Sequence, residues 1–238
     1  MKIFVLNLER AVERRALMQQ RLAELGLEAE FLPAVEGARI DRRCLPAGSE
    51  PRLTPGELGC YLSHQRCWEI VVKRELPHAV LLEDDVVLSP ELPRVLEEIA
   101  GLDLPYDLVR LSSLGPVRGI PVASLKEGRQ LILPNKNPSG TQGYLVSREG
   151  ARRLLARLVV PKRPIDDELD LYWKHGLCIP VVSPCVVEED QALTSMIGVR
   201  SDCSHRRNLA RHLGRVIEAK RRKLAVFLLA RRLRQATH

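Results

Sequence analysis

Residues 79–88 read AVLLEDDVVL, and their interpretation decides the fold. Five mostly apolar residues, His78 to Leu82, run straight into Glu83, Asp84 and Asp85. A short apolar run of this length reads as a buried strand. In open α/β sheets, ligands bind where such strands end. Three adjacent acids beside apolar surface repel one another, and burying them uncompensated is costly. A divalent cation removes that cost. Alternate strand residues point the same way, so Glu83 and Asp85 are the expected metal ligands while Asp84 turns aside. Carboxylate oxygens suit Mn²⁺ or Mg²⁺, and such an ion would bridge a diphosphate and stabilise it as a leaving group. The competing reading is a solvated turn in which Asp84 or Asp85 caps a loop.

Outward from this strand the chain keeps an α/β rhythm. Residues 2–8 (KIFVLNL) form an apolar strand, a helix follows over about 12–25 with Gly26 as its stop, and 28–35 form a second strand. Strand, helix, strand at this spacing is a βαβ unit. Thr54-Pro55-Gly56-Glu57 opens another helix, with Thr54 as N-cap, Pro55 in the first turn and Glu57 closing a capping box. It is expected to run to about Glu75. Further strands are expected at 107–112, 130–133, 141–146 and 178–182, and helices at 91–100, 148–158 and 167–175.

The chain has 238 residues, 45% hydrophobic and 28% charged, enough to bury a sizeable core. No run of eighteen apolar residues suggests a membrane-spanning helix, and MKIFVLNLERAVERR lacks the cleavage site of a signal peptide. Six cysteines contain no C-x-x-C pair, so plain thiols are expected rather than a disulfide framework or zinc site. The charge is uneven. Residues 204–238 hold eleven Lys or Arg against one acid, a net +10, which leaves −3 on residues 1–203 out of the total of +7. The division expected is a catalytic-type α/β domain over 1–203 and a basic helical tail over 204–238.

Several segments, in chain order, resemble glycosyltransferase family 25, the lipopolysaccharide biosynthesis type: IFVLNLERAVERR, PGELGCYLSHQRCW, LLEDDV, GTQGYLVSREGARRLL, PIDDELDLYW and Gln191–Ile197. The resemblance implies a GT-A type, Rossmann-like domain that binds a nucleotide sugar. It implies transfer of a hexose, often galactose from UDP-galactose, with inversion, to a lipopolysaccharide, lipooligosaccharide or related glycan acceptor. It also suggests donor-site roles. Asn7 and Leu8 would meet the base and ribose, Arg10 and Arg15 the phosphates, and Ala34, Val35 and Gly37 the uracil. Glu83 and Asp84 would stand beside the donor. His64 is expected to contact the donor phosphates or to orient an acid of the metal cluster, against the alternative of a packed core histidine.

Inverting transfer needs a base on the acceptor side. Asp166, with Asp167 as second choice, is the candidate, although Asp at a helix start is also an ordinary N-cap. Glu188 to Asp190 read as a solvated acidic loop, with metal or acceptor binding as the other option. Gly140 and Gly143 allow close backbone approach to a ligand, or simply a turn.

In the tail, Leu209, Leu213, Val216, Ile217, Leu224, Phe227 and Leu228 fall near one helical face, with basic residues over much of the remainder. Such a helix suits an anionic membrane surface. Packing on the domain is the competing reading. Nucleic acid is excluded as a partner by the lack of interleaved aromatics. The expected place is the cytoplasm, peripheral on an inner membrane. Two other functions remain open: a catalytically silent nucleotide-sugar-binding module, and a metal-dependent phosphatase, for which Glu83 is a poor aspartyl nucleophile.

Overall fold

A computed structural model describes residues 1–193 and 209–236, with side chains of the last segment described over 218–234. The expected boundary at 203/204, Thr194–Ile197 of one family-like segment, and the side chains of Leu209, Leu213, Val216 and Ile217 lie outside the described residues.

In chain order the first half forms β1 (Lys2–Asn7), α1 (Val12–Glu24), β2 (Glu30–Pro33), α2 (Pro55–Lys73), β3 (His78–Glu83), β4 (Val86–Leu88) and α3 (Leu92–Ala100). The second half forms β5 (Leu108–Arg110), β6 (Gly119–Ser124), β7 (Gln130–Pro134), β8 (Gly143–Ser147), α4 (Arg148–Arg157), α5 (Ile165–Leu169), α6 (Tyr172–His175), β9 (Val181–Ser183), β10 (Val187–Glu189) and α7 (Leu209–Ala236). Among the described residues no helix is long and apolar enough to cross a membrane.

Eight strands make one mixed sheet in the order β2-β1-β3-β8-β5-β9-β7-β6. β2, β1 and β3 run parallel, as the βαβ reading required, and form the Rossmann-like half. β8 inserts antiparallel between β3 and β5. This is the α/β class expected. Central strands are apolar on both faces, which is how a sheet covered by helices reads. Phe4, Val5, Val80, Leu81, Leu82, Leu108, Leu145 and Val146 are all fully buried.

Three strands escaped the sequence reading. Among the described residues β4 and β10 pair only with each other, across a separation of about a hundred residues. β6 contains Gly119 and Pro121, both poor strand formers, and is tolerated as the sheet edge beside β7. The single helix expected at 167–175 is instead two short ones, α5 and α6, broken at 170–171.

The tail lies against the domain. α7 contacts β6, β7 and α6. Val226, Ala230 and Leu233 are buried there, Arg222 stacks over Trp173 at 5.9 Å, and Arg234 donates to the Pro121 carbonyl at 2.9 Å. The opposite face carries Leu224, Phe227 and Leu228, which are 60%, 56% and 46% exposed. The tail therefore has two apolar faces where the periodicity suggested one.

Candidate functional site

The parallel strands β1, β2 and β3 all end on one side, and a cleft of about 400 Å³ opens there. Its walls are set by α2 and by the loop after β2. Thr54 accepts from the Glu57 N–H (3.2 Å) and Glu57 accepts from the Thr54 N–H (2.8 Å), so the capping box forms as read. The loop and helix then meet backbone to backbone. A Cβ on Gly37 would fall 1.7 Å from the Pro55 carbonyl oxygen, and one on Gly59 would fall 2.5 Å from that of Val35. Only glycine fits at either position. Ser63 fixes the contact, accepting from the Val35 N–H (2.8 Å) and donating to the Gly59 carbonyl (2.7 Å).

Of the residues expected at the donor site, Leu8, Arg10, Ala34, Val35, Gly37, His64, Glu83 and Asp84 line this cleft, as does Asp85. Asn7 and Arg15 do not. The Asn7 amide donates to Asp84 Oδ2 (2.7 Å) and to the Ala11 carbonyl (3.1 Å), so it braces the acid cluster from behind. Arg15 points away and lies 4.9 Å over the Phe31 ring. The arginine that reaches the acids is Arg14, which bonds Asp84 at 3.0 Å and Asp85 at 3.1 Å. Arg10 lies in the turn before α1, which begins at Val12, so the helix face expected to be shared by Arg10 and Arg14 does not form, and Arg14 reaches the acids from the first turn of the helix. Arg10 itself pairs with Glu36 at the cleft rim.

The alternation argument fails at Asp84, because β3 ends at Glu83 and the two aspartates occupy a bend. Asp84 therefore faces the cleft as well. Glu83 accepts from the Thr141 hydroxyl at 2.6 Å. Burial, and next the charge of Glu83, push the Asp85 carboxyl up to about 6 although Arg14 pulls the other way. The cluster is thus short of positive charge, and its all-oxygen donor set fits Mn²⁺ or Mg²⁺. The run Glu188 to Asp190 is not a free loop. Its first two residues belong to β10, the Asp190 N–H donates to the Asp85 carbonyl (2.8 Å), and Asp190 pairs with Arg21.

Asp166 and Asp167 separate, and neither is among the residues that line the cleft. Asp167 is exposed, whereas Asp166 is buried and accepts from the Gly140 N–H at 3.3 Å. The N-cap position of α5 is Pro164, so Asp166 is not that helix's N-cap. Gly140 and Thr141 are consecutive, so Asp166 and Glu83 flank one turn. Arg110, which the sequence did not single out, locks this turn from beneath. It donates to the carbonyls of Gly140 (2.8 Å) and Asp166 (3.3 Å) and to Asp170 (2.8 Å), and both charged side chains are almost fully buried.

His64 is fully buried. Trp68 Nε1 donates to the Tyr144 hydroxyl oxygen (2.9 Å), which in turn lies 2.8 Å from His64 Nδ1. The other ring nitrogen, Nε2, has no hydrogen-bond partner among the described residues and faces Glu83 at 3.7 Å.

Residues 1–114 match the family described as glycosyltransferase family 25 (LPS biosynthesis protein). A glycosyltransferase 25 family member of Drosophila melanogaster is 31% identical over 196 residues, covering 72% of this chain and 30% of the fly protein. Procollagen galactosyltransferase 2 of Homo sapiens is 31% identical over 199 residues, covering 73% and 30%. A protein of Mus musculus named inactive glycosyltransferase 25 family member 3 is 32% identical over 191 residues, covering 72% and 32%. The chain spans about a third of the length of these relatives. A solved glycosyltransferase involved in glycosylation of the major capsid of PBCV-1 is 11% identical, with a TM-score of 0.41 over 82% of this chain and 95% of its own.

Proposed function

We propose that the chain, whose residues 1–114 match glycosyltransferase family 25, transfers a sugar from a nucleoside-diphosphate donor to a glycan hydroxyl. The observation that carries this reading is the cleft at the ends of β1, β2 and β3, with the carboxylates of Glu36, Glu83, Asp84 and Asp85 and two arginines on its wall. Its apolar lip, Leu8, Ala34 and Val35, suits a nucleobase, and Arg10 suits phosphate. Glu83 and Asp85 would hold Mn²⁺ or Mg²⁺. When bound, that ion supplies positive charge to the departing diphosphate.

Asp166 is the proposed base. It takes the proton from the acceptor hydroxyl as that oxygen attacks the anomeric carbon, and the bond to the diphosphate breaks on the opposite face, giving inversion. Arg110 holds the backbone of Asp166 and of the Gly140–Thr141 turn, so it fixes the base relative to Glu83. The names of relatives, procollagen galactosyltransferases among them, support galactose and hence UDP-galactose as the donor. The family description supports a lipopolysaccharide or related glycan acceptor. The outward face of α7, with Leu224, Phe227 and Leu228 beside exposed Lys220, Arg221, Lys223, Arg231 and Arg232, supports a peripheral place on an anionic inner membrane.

Some relatives are named inactive, so a silent nucleotide-sugar-binding module is the second reading. Thermal shift against a panel of nucleotide sugars with Mn²⁺, followed by assay of released nucleotide, separates the two. Transferases leak sugar to water, so binding with slow hydrolysis supports catalysis. Binding without hydrolysis or transfer supports the silent module. No binding by any nucleotide sugar overturns both.

A further inference from the structure

On the floor of the cleft the thiol of Cys60, the imidazole of His64 and the carboxylate of Glu83 converge. One ligand atom from each lies within 4.8 Å of the others. We propose that these three residues bind a thiophilic divalent cation of the Zn²⁺ type, and that this ion excludes the oxygen-bound metal because both need Glu83.

Cys60 and His64 are four residues apart on α2, which places both side chains on one helix face, and β3 delivers Glu83 opposite them. The independent sign of a ligand is His64. Its ring is fully buried, its Nε2 has no hydrogen-bond partner among the described residues, and that atom is aimed at Glu83 from 3.7 Å. Leaving a buried polar atom unmatched costs about 1–3 kcal/mol, so an orphan directed into a cluster of potential ligands calls for an occupant. Metal-bound histidines usually donate their second ring N–H to an oxygen, and the Tyr144 hydroxyl oxygen stands 2.8 Å from Nδ1 in that role.

The distances are close to those of a shared ion. Bonds of about 2.0–2.3 Å in a tetrahedron separate ligand atoms by roughly 3.3–3.6 Å, so the cluster needs to contract by about 1 Å. The donor set names the metal class. Thiolate and imidazole select Zn²⁺ over Mg²⁺ or Mn²⁺, which prefer oxygen. A cysteine without an ion is mostly the thiol at neutral pH. On binding, the S–H bond breaks, the proton goes to solvent, and the sulfur lone pair goes to the ion. All three residues line the open cleft, which gives the ion an entry path and leaves its fourth position to water.

The full chain, reduced and free of nucleotide, is titrated with Co²⁺ as a spectroscopic stand-in. The expected result is a thiolate-to-cobalt charge-transfer band at one equivalent, bleached when Zn²⁺ displaces the cobalt. Cys60→Ala should remove the band, while Cys44→Ala and Cys185→Ala should retain it. His64→Gln should weaken binding at least about tenfold. If that buried change prevents folding, Cys60→Ala with a native circular-dichroism spectrum still decides. No band in the folded wild type, or an undiminished band in Cys60→Ala, overturns the site. The exclusion claim rests on the donor-site reading and is tested separately. Zn²⁺ should weaken Mn²⁺-supported nucleotide-sugar binding, and Cys60→Ala should relieve this about tenfold. Because the cobalt titration uses no nucleotide, its failure leaves the transferase reading standing, and failed nucleotide binding leaves the cobalt result standing.

Discussion

Arg110→Met tests whether the buried pair beneath the candidate base organises the turn that the base contacts. Arg110 and Asp170 have side-chain exposures of 3% and 0% and meet at 2.8 Å. Burial drives the Asp170 carboxyl up to about 6, and Arg110 is the main opposing influence. A folded-state value raised above the unfolded one gives stability that is fully present below the unfolded value and is lost as pH rises through the folded value. In the wild type that loss falls between about 4 and 6. Without Arg110 the folded value climbs further, so the added penalty appears only above about pH 6. Two units of pH beyond that point, at about 1.4 kcal/mol each, give roughly 2.7 kcal/mol near pH 8 and almost nothing near pH 5. Loss of the bonds to the Gly140 and Asp166 carbonyls adds about 1–3 kcal/mol at either pH. Urea unfolding of Arg110→Met should therefore show a loss of about 1–3 kcal/mol near pH 5 and about 4–6 near pH 8, at or just above the scale for breaking a buried pair. Adding Asp170→Asn should return most of the alkaline difference. A loss independent of pH, or one under about 1 kcal/mol near pH 8, would refute the reasoning.

Asp166→Asn should keep donor affinity and lose about a hundredfold or more in turnover. Normal turnover in Asp166→Asn beside a dead Asp167→Asn would move the role one residue. Gly37→Ala should cost about 1–3 kcal/mol in thermal stability, because its methyl group would meet the Pro55 carbonyl, and should weaken donor binding about tenfold as the loop shifts. Asp85→Ala should abolish Mn²⁺-dependent donor binding with an unchanged melting temperature, and undiminished transfer would remove it from the metal site. Replacing Leu224, Phe227 and Leu228 together by Ser should leave the fold intact, since all three are exposed, yet abolish co-sedimentation with anionic vesicles. In the wild type that binding should fall steeply towards 1 M salt, where the Debye length is about 3 Å.

What the sequence disclosed was mostly local. The cap at Thr54–Glu57, the βαβ opening and the strand that ends on Glu83 depend on residues a few positions apart, and each formed as read. The pairing of β4 with β10 depends on contacts a hundred residues apart, so no window along the chain registers it. At the site, side-chain direction was the weak point. Family pattern favoured Arg15, but helix geometry turns it onto Phe31 and sends Arg14 to the acids. Strand alternation put Asp84 aside, but the strand ended one residue too soon for the rule to apply. Arg110 sat in an expected strand with nothing to separate a buried charge from a surface one. In the tail, periodicity collected the large apolar residues, but the face that packs is built from Val226, Ala230 and Leu233.

The docking of α7 on β6 has a consequence for synthesis. Among the described residues β6 pairs on one side only, with β7, and α7 packs against it, with Arg234 held to the Pro121 carbonyl. The strand emerges from the ribosome about a hundred residues before the helix that shields it. At about 5–20 residues per second, that interval is roughly 5–20 s. Throughout it the β6–β7 hairpin, which joins the sheet only when β9 is made, presents an unpaired edge, the kind of surface on which a second chain can add a strand. Pro121, which has no N–H to offer, shortens the usable edge during that wait. Shortened chains that end before α7 would keep the exposure permanently, and self-association through β6 is their expected fate.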